Sequence, residues 1–257
     1  MSAAGPSQGA KAPVTSDPSG SGGSAVREAT SVGVKVALFD LDHTLIPIDS
    51  DYAWGEFTIA RGWVDPVDFK RQNDAFYAHY KAGTLDVHAY VRFATAAIRQ
   101  QGAINSIAAH VDFMGAIVQN AIKPQAVELV RQHRAAGDVV AIVTATNEFV
   151  TRPIARAFGV DELIAVELER EPSADGTGWF NGAIRGVPSF REGKVVRVEA
   201  WLQDRGLTWD TVHTTFYSDS MNDLPLLEKA TVPVATNPDE RLRALAQARG
   251  WRILDLF

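Results

Sequence analysis

The sequence predicts an α/β protein, a doubly wound parallel sheet interrupted by a block of helices. Two observations carry that prediction. Short apolar runs alternate with helix-length amphipathic segments, the pattern of strand–helix–strand units whose helices cover a parallel sheet. Between the first two runs, residues 51–120 show helical spacing and no convincing strand. Ordinary βα connections span only ~2–6 residues, so this stretch reads as an insertion.

The elements follow in order. Residues 1–31 are rich in Gly, Ser, Ala and Pro, and are expected to be a disordered tail without the apolar stretch of a secretory signal. Val34 to Phe39 is a short buried strand. Within the block, PVDFKRQNDAFYAHYKAG and DVHAYVRFATAAIRQQG carry apolar residues at helical spacing and end in glycine, so about four helices are expected there. In KPQAVELVRQHRAAG, Pro124 suits a first helical turn and Gly137 a C-terminal cap. Val139 to Val143 is the second strand, and a helix follows over 148–158. ELIAVELE reads as one strand, and ADGTGWFNGAI as a hairpin with Asp175-Gly176 near its turn. A helix near 192–204, a strand in TTFYSDS, a short helix, a strand in TVPVAT and a last helix complete the chain. The division is a core of residues 32–48 and 122–257, a helical cap over 49–121, and the tail.

Composition removes several function classes. The chain has 257 residues, 46% of them apolar, with a formal net charge of −6 and no block of like charge. Nothing here builds a nucleic-acid stripe or a polybasic membrane patch. There is no cysteine, which removes disulfides, thiolate nucleophiles and cysteine zinc sites. No apolar run approaches the ~20 residues that span a bilayer. A cytoplasmic monomer or homodimer, binding neither nucleic acid nor membrane, is expected.

Polar residues gather where the strands end, and open α/β sheets bind ligands outside the carboxyl ends of their strands. The first strand runs into Asp40 and Asp42, and the second into Thr144. TTFYSDS ends on Ser218 and Asp219, with Asp223 four residues on. Lys194 opens the helix near 192–204. Three carboxylates at one rim repel each other, and a lysine with a hard divalent cation such as Mg²⁺ would balance them. Each residue alone has an ordinary use as a turn, a cap or a solvated charge. Their joint order at strand ends does not.

That set resembles the haloacid dehalogenase superfamily of phosphohydrolases. FDLDHTL matches its DxDxT motif, AIVTAT its second motif, Lys194 in FREGKVVRVEAWL its third, and YSDSMNDLP its fourth. The helical insertion resembles the small C1-type cap of subfamily IB, the phosphoserine-phosphatase-like group, on a Rossmann-like core. The resemblance implies that Asp40 attacks phosphorus and forms an aspartyl-phosphate. Asp42 would protonate the leaving group and then activate water. Mg²⁺ would be held by Asp40, the Asp42 backbone carbonyl and Asp219, with Asp223 direct or through water. Thr144 would bind a phosphoryl oxygen, and Lys194 would offset the accumulated charge. His43 is expected to be cap-facing or supporting. Trp54, Phe57, Phe76, Tyr77 and Tyr80 are expected in helix core.

The partner implied is a small phosphate ester. Asp49 falls at the position where phosphoserine phosphatases read the substrate amine with a glutamate. Counted from Gly83, their carboxylate-binding arginine falls on Ala94, with Arg92 nearby. Asp49, Arg92, Thr144, Ala145 and Asn222 are therefore the candidate substrate contacts. An acidic reader favours an amino-alcohol phosphate such as histidinol phosphate, with phosphoserine next. A phosphotransferase on the same scaffold is the alternative.

Overall fold

A computed structural model describes residues 33–173 and 178–257. The expected tail and the Asp175-Gly176 turn lie outside the described residues. Eight strands are seen among those described: β1 (Val34–Phe39), β2 (Val139–Asn147), β3 (Glu162–Val166), β4 (Leu168–Arg170), β5 (Phe180–Ile184), β6 (Val212–Ser218), β7 (Val232–Thr236) and β8 (Arg252–Leu254). Six form a parallel sheet in the order β3-β2-β1-β6-β7-β8, and β4 pairs antiparallel with β5. The expected doubly wound α/β fold is the one observed. β1 lies between β2 and β6, so its residues face helices on both sides. Leu38 and Phe39 are fully buried accordingly.

Six helices lie between β1 and β2, and the first five form the inserted block: α1 (Ser50–Ala60), α2 (Pro66–Ala82), α3 (Val87–Ala94), α4 (Ala96–Phe113) and α5 (Gln119–Ala121), the last reached through a π-helical turn over Met114–Val118. Their boundaries are chemical. Asp65 caps α2 by accepting from the Val67 and Asp68 amides, and Gly83 closes it in the left-handed region at φ 71°. Asp49 and Asp86 cap α1 and α3 in the same way. The outer elements are α6 (Pro124–Ala135), α7 (Glu148–Ala157), α8 (Glu192–Gln203), α9 (Leu224–Lys229) and α10 (Glu240–Arg249). Among the described residues, no helix is long and apolar enough to cross a membrane.

Three differences from the sequence reading have local causes. ELIAVELE is two strands. After Val166 pairs with Asn147, the Glu148 side chain accepts the Leu168 amide at 3.0 Å, and the chain turns off to meet β5. β2 runs on from Val143 to Asn147, where its register with β3 shifts. β8 went unread, because three residues are too few to display a period. At Gly102, where the second quoted segment ends in glycine as expected, the backbone is non-helical (φ 73°, ψ 175°), so α4 is two helical stretches meeting at a kink.

The inserted helices are tied to the rest by an aromatic cluster. Trp54 of α1, 2% exposed, packs on Phe57, His110 and Phe113, and on Phe149 of α7 at 5.5 Å between ring centroids. Trp54→Ala removes the shared partner and leaves a cavity. It is expected to cost about 3–5 kcal/mol in urea unfolding.

Candidate active site

The site begins where β1 stops. The Asp40 amide still donates to the Tyr217 carbonyl at 2.9 Å, so the β1–β6 ladder fixes its backbone. The chain then folds tightly. The Leu41 carbonyl accepts from the Thr44, Leu45 and Ile46 amides, with His43 in the left-handed region at φ 56°. Thr44 Oγ1 donates to Asp219 Oδ1 at 3.0 Å and accepts from the Asp219 amide at 3.1 Å. This pins the loop after β1 to the end of β6.

Lys194 enters from α8. A Cβ on Gly193 would lie 2.1 Å from the Pro188 carbonyl oxygen, so only glycine lets the α8 N-terminus sit this close. The ammonium is 2% exposed and donates to Asp40 Oδ1 at 2.9 Å and to Asp223 Oδ2 at 2.7 Å. Burial opposes its charge, but the Asp223 and Asp40 carboxylates together outweigh burial and hold its pKa above the ordinary lysine value. Ser218 Oγ also donates to Asp223 Oδ2, at 2.8 Å. Burial still pushes Asp223 up to about 6 despite Lys194, and Asp40 is likewise raised.

Asp42 is held on both oxygens, by the Ser50 amide at 2.8 Å and the Thr146 hydroxyl at 2.8 Å. Burial and the nearby Asp49 charge nevertheless raise it to about 6. The Asp219 pKa stands well above the usual range, through burial and the Asp40 and Asp223 charges. Asp40, Asp219 and Asp223 thus lie close together, with one ammonium bonded to Asp40 and Asp223. That oxygen-rich excess of negative charge is the donor chemistry a hard divalent cation fits. Among the described residues, no three carboxylate or histidine side chains converge as a ready cage. A cation here would take part of its shell from backbone, water or substrate.

Asp40, Asp42, Thr144 and Ala145 line one pocket together with Asp49, and the inserted helices roof it with Tyr52, Asn73, Phe76, Tyr77, Tyr80 and Tyr90. Phe76, Tyr77 and Tyr80 therefore face the pocket rather than a helix core, while Trp54 and Phe57 are core as expected. His43 also lines the pocket, and its buried Nε2 has no partner among the described residues.

Two candidate contacts are not brought into this pocket. Arg92 sits exposed on α3, because counting from Gly83 does not carry helical phase across the loop that starts α3. Ala94, where that count fell, is likewise outside the lining. Asn222 instead donates to the Tyr80 carbonyl at 2.9 Å, beside Arg191, which donates to the Gly83 carbonyl at 2.7 Å. These two bonds hold the end of α2 against the core.

Sequence reasoning missed Asp51, Asn73, Tyr90 and Thr146. Asp51 is 6% exposed and accepts from the Asn147 amide at 3.2 Å. Burial lifts it to about 7, with the Tyr90 hydroxyl and Asn147 offsetting only part. Its signal was present in IDSDYAWGEF: helix phase sets it beside Gly55, on a face too buried for a solvated charge.

Comparisons with known proteins place the chain in context. The profile of the haloacid dehalogenase-like hydrolases matches residues 37–228. A protein of Neisseria meningitidis serogroup C (strain 8013) named histidinol-phosphatase is 39% identical over 221 residues, covering 86% of this chain and 98% of that one. Phosphoserine phosphatase SerB1 of Mycobacterium tuberculosis (strain ATCC 25618 / H37Rv) is 33% identical over 222 residues, covering 85% of this chain and 70% of that one. A solved structure from Bordetella pertussis Tohama I, described as a protein with unknown function, is 47% identical, with a TM-score of 0.81 over 88% of this chain and all of that one.

The raised Asp51 pKa has a consequence for stability. The folded carboxyl keeps its proton to about pH 7, whereas an ordinary aspartate loses it near 3.8. Folding takes up a proton between those values, so stability falls as pH rises through that window and stays reduced above it. Asp51→Asn removes the penalty. The variant is expected to melt higher than wild type at pH 8 and by much less at pH 5, a gain of at most ~4 kcal/mol.

Proposed function

The chain belongs to the haloacid dehalogenase-like hydrolase family and is a phosphatase, and on that premise we propose that it hydrolyses a small phosphate monoester bearing a basic nitrogen, histidinol phosphate foremost. The observation that carries this reading is the pocket lining. Besides Asp40 it holds Asp42, Asp49 and Asp51 among aromatic rings, and among the described residues it contains no lysine or arginine. A substrate carboxylate would meet only like charge there, which weighs against phosphoserine. A basic amine or ring would be attracted by the carboxylates and by the ring faces. The Neisseria relative, matched over nearly its whole length, bears a name that agrees.

In this reading Asp40 is the nucleophile. Lys194 fixes one of its oxygens, leaving the other for attack on phosphorus. As the new oxygen–phosphorus bond forms, the ester bond breaks and its electron pair leaves on the alkoxide, which takes a proton from Asp42. Water then attacks the aspartyl-phosphate and gives a proton to Asp42, regenerating the Asp40 carboxylate and freeing phosphate. An Asp42 pKa of about 6 suits both directions near neutral pH. Thr144 binds a phosphoryl oxygen, and Lys194 compensates the charge gathered at Asp40. Asp40, Asp219 and the Asp42 carbonyl are the groups that would hold Mg²⁺, which supplies further charge neutralisation to the phosphoryl oxygens. Asp223, engaged by Lys194 and Ser218, acts chiefly as the partner that keeps the lysine in place.

The helices of residues 49–121 act as a cap over this centre. The pocket is small, about 40 Å³, well under the ~300–1,000 Å³ of an ordinary small-ligand site. Substrate entry therefore needs the end of α2 to part from the core, breaking the Arg191 and Asn222 bonds.

Phosphate release from histidinol phosphate, phosphoserine and an aryl phosphate, with Mg²⁺ and with a chelator, tests the reading. Activity is expected to need Mg²⁺. Asp40→Asn is expected to lower kcat/KM by on the order of 10³-fold, about 4 kcal/mol of transition-state stabilisation. Histidinol phosphate is expected to exceed phosphoserine by about a hundredfold. No free phosphate, with the phosphoryl group found instead on an added alcohol, would replace the hydrolase by a phosphotransferase. Arg191→Ala, which opens the latch without touching the reacting groups, is expected to raise KM several-fold more than it lowers kcat.

A further inference from the structure

Four carboxylates line the pocket, and three already have settled partners. Asp40 accepts from Lys194, and Asp42 accepts from Ser50 and Thr146. Asp49 caps α1, accepting from the Tyr52 amide at 2.8 Å. Among the described residues, Asp51 has no cation and no backbone amide, and holds only the Asn147 side chain and the reach of the Tyr90 hydroxyl.

A second, independent feature lies beside it. Asn73 of α2 is 3% exposed and lines the same pocket, and its Nδ2 has no hydrogen-bond partner among the described residues. Its amide packs against α1 at Gly55, where an added Cβ would lie 3.0 Å from Nδ2. Gly55 follows Asp51 by four residues, so carboxylate and amide lie about one helical turn apart on one face. A buried donor left unpaired beside a buried acceptor is destabilising unless a ligand completes both. Phe76 and Tyr90, whose ring centroids are 5.3 Å apart, wall the same space.

We propose that Asp51 and Asn73, walled by Phe76 and Tyr90, form a subsite for the planar azole ring of the substrate, an imidazole-like group with one N–H donor and one nitrogen acceptor. The ring N–H donates to Asp51, and the other nitrogen accepts from the Asn73 amide. An alkylammonium group, with donors only, would satisfy Asp51 and leave Asn73 unpaired. The subsite rests on the phosphatase reading only for the identity of the ester; its residues stand outside the reacting centre. The raised pKa of Asp51 agrees with it, since a carboxyl and an imidazole of similar affinity share a proton readily.

Two measurements on the full chain test this. The first is calorimetric binding of L-histidinol, which carries the ring without the phosphate, against ethanolamine, which has only the amine. The second is kcat/KM for histidinol phosphate against p-nitrophenyl phosphate. Asp51→Asn is expected to weaken histidinol binding by roughly thirtyfold, and Asn73→Ala by roughly tenfold. Both are expected to cut kcat/KM for histidinol phosphate in proportion and leave p-nitrophenyl phosphate within about threefold of wild type. Gln72→Ala, exposed on α2 beside Asn73 and outside the pocket lining, is expected to leave the ratio of the two esters unchanged. Equal losses on both esters, or no loss on either, overturn the subsite, as does wild-type binding of ethanolamine as tight as histidinol. If wild type releases no phosphate from any ester, the phosphatase reading falls, while the histidinol arm still decides the subsite.

Discussion

The site depends on one buried ammonium. Lys194 sits between Asp40 and Asp223, nearly out of reach of water. Any one of these three charges alone would be expensive to bury, and removing one would leave the others uncompensated. Together they fix a point where Asp40, the lysine and the end of β6 converge. Asp40 and Lys194 are 154 residues apart, so local structure cannot assemble them. The central place of β1 does, by carrying Asp40 to a rim already bounded by β2 and β6. Gly193 does the rest, by letting α8 start close enough to deliver the amine.

Around that point the molecule keeps polar groups that folding alone would not select. Among the described residues, Asp219 has an acidic neighbourhood and only Thr44 as a side-chain partner, Asp51 has no cation, and the Asn73 amide has no partner. Each sits in or beside the cleft between strand ends and inserted helices. Sites that bind charged ligands commonly hold such uncompensated groups, because the ligand is the missing partner. In the proposed reading, the acidic, aromatic lining would also act by exclusion, repelling a substrate with a second anion where a basic ring finds contacts.

Much of this was legible in the sequence, for physical reasons that differ by residue. A parallel sheet puts its loops at one rim, so residues just after apolar runs must gather there. Asp40, Asp42, Thr144 and Asp219 follow from that rule alone. Lys194 and Asp223 needed the spacing of known motifs. The pocket roof was less legible. Asp51, Asn73 and Tyr90 meet because of how α1, α2 and α3 pack, and helix phase does not carry across the loops between them. The same ignorance set Arg92 near the substrate when it faces solvent, and assigned Phe76, Tyr77 and Tyr80 to a core when they line the cleft. β8 was too short to show a period, and Glu148 breaks ELIAVELE through a side-chain bond that no local pattern announces.

The two bonds that hold the end of α2 come from residues adjoining the buried charges. Arg191 lies three positions before Lys194, and Asn222 immediately precedes Asp223. Latch and ion pair therefore share one scaffold. A shift of the α8 N-terminus or of the loop after β6 moves the anchor of α2 and the lysine's partners at once. The hold on α2 therefore cannot be loosened at Arg191 or Asn222 without strain reaching the buried ion pair. If the proposed lid sets the pace, the chain's freedom to change its speed lies in the inserted helices' own residues, on the far side of those two bonds.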